Sequence, residues 1–144
     1  MINVGVRHSA APFSYFDAAG QPQGFTWALC KAVVKGLEVE LGRRLTTKVV
    51  SVDLAQSFDK LADNSIDMQC GSTTHTAERE KRVQFSKTFF VAGMRVAYRK
   101  ADPQFASALK NGKVIALEKS TASTVVKKYS VAIAKRPCFW APAM

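Results

Sequence analysis

An α/β fold with an open, mainly parallel sheet and flanking helices is the architecture that this sequence predicts. Three observations carry the expectation. Short β-branched runs alternate with longer runs of helical period across residues 2–70, the rhythm of strand–helix–strand units with right-handed crossovers. The helical runs close on Gly42 and Asn64, residues that end helices readily. Hydrophobic residues make up 47% and charged ones 22% of the 144 positions, which suits a packed core rather than a disordered chain. That length allows one ordinary domain, or one lobe and part of another.

Ile2 to Arg7 reads as the first strand, with Ile2, Val4 and Val6 on one face. Arg7 stands at its carboxyl end, where open α/β sheets place their ligands; on position alone, a surface cation is an equal reading. Phe13 to Phe25 reads as a hairpin turning at Asp17-Ala18-Ala19-Gly20. Its aromatics suit core or cover, with Tyr15 or Phe16 a candidate wall for a ligand pocket. Thr26 to Leu41 is the clearest helix. Leu29, Cys30, Val33, Val34, Leu37 and Leu41 share one face, and Lys31, Lys35 and Glu38 another. Thr46 to Val52 is strand-like. Asp53 suits the cap of the next helix, whose apolar stripe is Leu54, Phe58, Leu61 and Ala62. Ile66 to Cys70 follows as the third strand.

The formal charge is +10, from 21 Lys and Arg against 11 Asp and Glu. The cations are scattered, without the aromatic-interleaved stripe that nucleic-acid binding calls for. Solvated surface is the plain reading, with attraction for acidic small molecules the functional one. No run approaches the about 20 apolar residues of a membrane span. No secretion signal is visible after Met1. Three cysteines and two histidines lack metal-ligand spacing, so neither metal nor cofactor is expected. Cys30, on the apolar helix face, and Cys70, at a strand end, read first as small buried hydrophobes. A disulfide between them stays open, because sequence does not supply the geometry.

The stretch from Met68 to Ser86 concentrates the chemistry. Gly71 allows a close bend as the strand ends. Ser72, Thr73 and Thr74 then offer hydroxyls and N–H groups in a row, a cradle for an anion. Thr76 suits a helix cap, with Glu78 in the first turn. Arg79 follows, able to turn a planar fork towards a carboxylate.

The run Gly71-Ser72-Thr73-Thr74, then Glu78-Arg79 and Val83-Gln84-Phe85-Ser86, resembles the family 3 solute-binding proteins of bacterial amino-acid uptake. Within that family it is most similar to the glutamate/aspartate-binding proteins. Val4-Gly5-Val6-Arg7-His8-Ser9, Pro12-Phe13-Ser14-Tyr15 and Cys70 before Gly71 carry the same resemblance, which covers roughly residues 2 to 126. It implies a type II periplasmic-binding-protein-like fold of incomplete bilobal architecture. Residues 1–92 would form most of lobe 1, 93–101 the crossover, 102–129 the start of lobe 2, and 130–144 a divergent tail. That tail, with Arg136-Pro137 and Pro142, reads as a truncation or shifted frame.

The resemblance also implies a role. A periplasmic receptor would bind L-glutamate or L-aspartate between two lobes and deliver it to an ABC transporter permease, making and breaking no bond. Ser72, Thr73, Thr74 and Arg79 would hold the α-carboxylate. Arg7, with Arg95, would hold the side-chain carboxylate. Ser120 and Thr121, at a helix start after the strand ending at Leu117, would close from the other lobe. Ala28 and Met94 stand where the family usually carries polar residues. Absence of the family's return segment would leave apolar surface on lobe 1, an invitation to domain swapping or another oligomer. The alternatives are a periplasmic enzyme on the same fold, like cyclohexadienyl dehydratase, or a detached ligand-sensing domain. The chain shows no nucleophile–base set for the enzyme.

Overall fold

The computed structural model describes residues 1–97, 114–132 and 138–140. The chain divides into two compact units, Met1–Lys87 and Thr88–Met144. The first holds two small sheets. Strand β1 (Ile2–Arg7) lies in the middle of a parallel sheet between β5 (Thr47–Val52) and β6 (Met68–Cys70). Register places Arg7 opposite Val52 and Val6 opposite Cys70. All three carboxyl ends therefore finish on one edge. Strands β2 (Ser9–Ala10), β3 (Ser14–Phe16) and β4 (Pro22–Gln23) form an antiparallel meander.

The strand and helix expectations for this unit hold closely. The hairpin turns where predicted, with the Asp17 carboxylate accepting from the N–H groups of Ala19 and Gln21. It ends at Gln23, however, and Phe25 opens helix α1 (Phe25–Leu41) instead of closing the hairpin. Gly24, at φ 113°, makes that junction; a Cβ there would run into the backbone of Pro12 and Phe13. Gly42 ends α1 in the left-handed conformation. Asp53 caps α2 (Leu54–Ala62), its Oδ1 accepting from Gln56 N at 2.6 Å.

Two expectations need correction. The wide apolar face foreseen for α1 is mostly open: Val33 is 51% and Leu41 54% exposed. Only Thr26, Cys30 and Val34 are buried. These positions are four apart, one narrow row along the helix, which is all that a three-stranded sheet covers. The second correction is covalent. Cys30 and Cys70 are not separate hydrophobes; they form a disulfide across 40 positions of sequence. It ties α1 to β6 inside the cluster of Val4, Val6 and Val34, with Phe16, Trp27 and Met68 packed around it. Phe16 is thus core, rather than a wall of a pocket.

In the second unit, residues 88–97 take no regular structure, where an extended segment was expected. Strand β7 (Ile115–Leu117) pairs in parallel with β8 (Cys138–Trp140), and α4 (Thr121–Ala132) follows β7. The expected lobe entry at 108–113, part of the proposed crossover and the Arg136-Pro137 breaker lie outside the described residues. No helix among those described is long and apolar enough to cross a membrane.

Two stability predictions follow from these links. Asp53→Ala should cost about 1 kcal/mol in urea unfolding, and Asp53→Asn should recover most of it, as an alternative cap does. Reduction of the disulfide should cost about 4 kcal/mol, because a loop of that length regains its freedom in the unfolded chain. Unfolding curves with and without reductant measure it.

Candidate functional site

The carboxyl edge of the parallel sheet gathers the chemistry of the first unit. Side chains alternate along β1, so Val4 and Val6 face the disulfide while Gly5 and Arg7 face the other way. That second face is the one that right-handed crossovers in the order β5-β1-β6 assign to α2, opposite α1, and a Cβ on Gly5 would meet Ile66 and Val52 there. Arg7 is 8% exposed, unusual for a cation with no salt bridge among the described residues. Its stem crosses directly over Gly71: a Cβ there would lie 2.8 Å from Arg7 Cδ and 3.0 Å from Cγ. A side chain at position 71 would therefore have to displace the Arg7 stem, a demand beyond the bend that sequence assigned to Gly71.

The Arg7 guanidinium reaches the hydroxyl turn, with Nη1 donating to Ser72 Oγ at 3.5 Å. Burial pushes its pKa down, the Asp53 carboxylate pulls it back up, and the Arg79 guanidinium pushes it down further. Asp53 thus does two things: it caps α2 and faces Arg7 electrostatically. The position of Asp53 just past Val52, at the same sheet edge, was the signal that could have found it. At neutral pH both guanidiniums keep their protons.

Arg79 sits in α3 (Ala77–Glu80), capped by Thr76, whose Oγ1 accepts from Arg79 N at 3.3 Å. Its Nη1 donates to the Thr74 carbonyl at 2.8 Å. The guanidinium carbon lies 5.5 Å from the Phe58 ring centroid, within cation–π range. Phe58 also meets Arg82, at 5.7 Å, and Arg82 pairs with Asp59 at 2.6 Å. Sequence marked Phe58 only as an apolar helix position; here it props one side of the basic cluster. Burial lowers the Arg79 pKa, and Glu78 opposes that. Thr73 Oγ1 donates to Gln69 Oε1 at 3.1 Å, while Ser72 and Thr74 stay exposed.

Five of the singled-out residues, Arg7, Ser72, Thr73, Thr74 and Arg79, therefore come together in the first unit. The other three belong to the second. Arg95 lies in its irregular segment. Ser120 caps α4: its Oγ accepts from Ser123 N at 3.1 Å and donates to the Leu117 carbonyl at 2.6 Å. Thr121 is the first residue of that helix. No group of three or more metal-ligating side chains occurs among the described residues.

Comparison with known proteins places this arrangement in a lineage. The sequence profile of the bacterial extracellular solute-binding proteins, family 3, matches residues 2–136. The glutamate/aspartate import solute-binding protein of Escherichia coli (strain K12) is 31% identical over 130 residues, covering 89% of this chain and 43% of that protein. The protein of the same name from Salmonella typhimurium is 32% identical over 128 residues, covering 88% and 42%. Among solved structures, an ancestral arginine-binding protein bound to arginine superposes with a TM-score of 0.82 at 28% identity, over 96% of this chain and 60% of that one. This chain spans less than half the length of those curated relatives. Its fold is part of the type II periplasmic-binding-protein architecture. With the profile spanning all but a few residues of its length, the chain belongs to the bacterial extracellular solute-binding proteins, family 3.

Proposed function

We propose that this chain carries the ligand-gripping surface of a periplasmic receptor for a dicarboxylic amino acid, L-glutamate or L-aspartate, serving an ABC transporter permease. The observation that carries the reading is the pair of guanidiniums at one sheet edge, Arg7 buried and Arg79 braced, beside exposed hydroxyls. A buried cation is costly unless paired or hydrogen-bonded. Arg7 has one long hydrogen bond and a neighbouring carboxylate. A bound carboxylate would complete its shell. The names of the curated relatives support the same ligand class.

The roles divide by position. Arg79, with Ser72 and Thr74, holds the α-carboxylate, and Thr73 steadies the turn that presents them. Arg7, with Arg95, holds the second carboxylate. Ser120 and Thr121 add donors from the start of α4, which Ser120 caps. Recognition proceeds by charge-assisted hydrogen bonds, with no covalent step.

Each charge-assisted bond contributes about 1.5–3 kcal/mol net. Arg79→Ala should therefore weaken L-glutamate binding about tenfold or more by calorimetry; unchanged affinity would remove the assignment. Arg7→Ala should act differently, eroding the preference for L-glutamate over L-glutamine by about tenfold. Titration of both amino acids into the variant measures that ratio. Gly71→Ala tests the steric point. Its backbone is one that alanine adopts, so the substitution should displace the Arg7 stem and weaken binding about tenfold. The urea midpoint should barely move.

A further inference from the structure

Two donors on the α2 face of the sheet are buried and lack a hydrogen-bond acceptor among the described residues: Arg7 Nε and Gln69 Nε2. They are neighbours. Gln69 Nε2 and Arg7 Cγ each lie 3.0 Å from the place a Cβ on Gly71 would take, and Arg7 Cδ, one bond from Nε, lies 2.8 Å from it. Gln69 stands opposite Gly5 in the sheet, on the same face as Arg7. Its other end, Oε1, accepts from Thr73 Oγ1. Buried donors are almost always satisfied, so two orphans side by side call for an acceptor between them.

The acceptor is already in the fold. The two ends of a glutamine amide are nearly alike in size, and hydrogen bonding decides which way it faces. A half-turn about the last side-chain bond exchanges them. Nε2 then donates to Thr73 Oγ1, which accepts as readily as it donates. Oε1 then takes the buried place beside Arg7. We propose that Gln69 is the positioning residue for Arg7: its amide oxygen accepts from Arg7 Nε–H and its NH2 group donates to Thr73. The guanidinium is thereby held edge-on, with its two terminal nitrogens turned to the ligand side. The same amide links the hydroxyl turn to the arginine, so both halves of the anion cradle move as one piece. A carboxylate at this position would fill the same role, accepting from Arg7 Nε and from Thr73 Oγ1.

The test separates orientation from ligand binding, which rests on the proposed function. The full chain is prepared as wild type, Gln69→Glu and Gln69→Leu. Without ligand, the 15Nε–1Hε signal of Arg7 is followed, assigned by its loss in Arg7→Lys. Wild type and Gln69→Glu should show a dispersed signal with slow solvent exchange. In Gln69→Leu, which keeps bulk but no acceptor, exchange should accelerate about tenfold or more as the hydrogen bond is lost. Calorimetry with L-glutamate should then find Gln69→Glu within about threefold of wild type and Gln69→Leu about tenfold weaker. An Arg7 signal untouched by Gln69→Leu overturns the proposal, as do equal losses of affinity in the two variants. If wild type binds no L-glutamate, the proposed ligand is wrong, and the Arg7 signal alone still decides the role of Gln69.

Discussion

The constraint on which the first unit depends is the burial of one guanidinium. Arg7 ends the central strand, and central strands have no free flank along which a long side chain can escape to water. Its stem must cross a neighbouring strand. A residue without a Cβ leaves room for that crossing, and Gly71 is that residue, next after the final position of β6. Gly5 does the same for Ile66 one layer deeper, where added bulk would meet that side chain. Gly5 in β1 and Gly71 just past β6 thus set the packing of this face, the inner one for an apolar chain and the outer one for a charged one.

The sheet divides its labour between its two faces. On one, Val4 and Val6 pack against Val34 and the Cys30–Cys70 bridge, so that stability comes from apolar contact and a covalent tie. On the other, Arg7 and Gln69 are held by hydrogen bonds and sterics beneath the start of α2. Alternation along a strand keeps these jobs apart while placing them one residue from each other. The disulfide gives an example. It fixes Cys70 on the core side, and through Cys70 it fixes the backbone of the very next residue, Gly71, over which the arginine lies.

Much of this was legible in the sequence, and the reason differs by residue. Strand and helix bounds followed from period and from punctuation at Gly42, Asp53 and Thr76, which act locally. Ser72, Thr73, Thr74 and Arg79 were legible as a cluster because they fall within one short stretch of sequence. What stayed hidden depends on distance across the fold. The Cys30–Cys70 pairing requires two elements 40 positions apart to meet. Phe58 read as one more apolar helix residue, and only packing reveals a ring within reach of two guanidiniums. Gln69, inside a short strand, carried no signal at all. The narrow buried row of α1 was likewise invisible, since periodicity shows which residues share a face but not how wide a sheet awaits them.

The electrostatics of the cluster support the proposal that its ligand is an anion. Burial and mutual proximity both lower the pKa of Arg7, and burial lowers that of Arg79. Each lowering means that the folded state disfavours the charged form relative to water. The ordinary value for arginine is so far above neutrality that neither group escapes by losing its proton. The folded protein therefore carries part of that cost as repulsion and incomplete solvation at Arg7. Asp53 offsets part of it but is also committed to the helix cap. On the proposed reading, a carboxylate from the ligand would offset more of it, and a neutral or cationic group in the same place would not. Under that proposal affinity and selectivity would share one origin, a fold that holds two cations near each other and buries one of them.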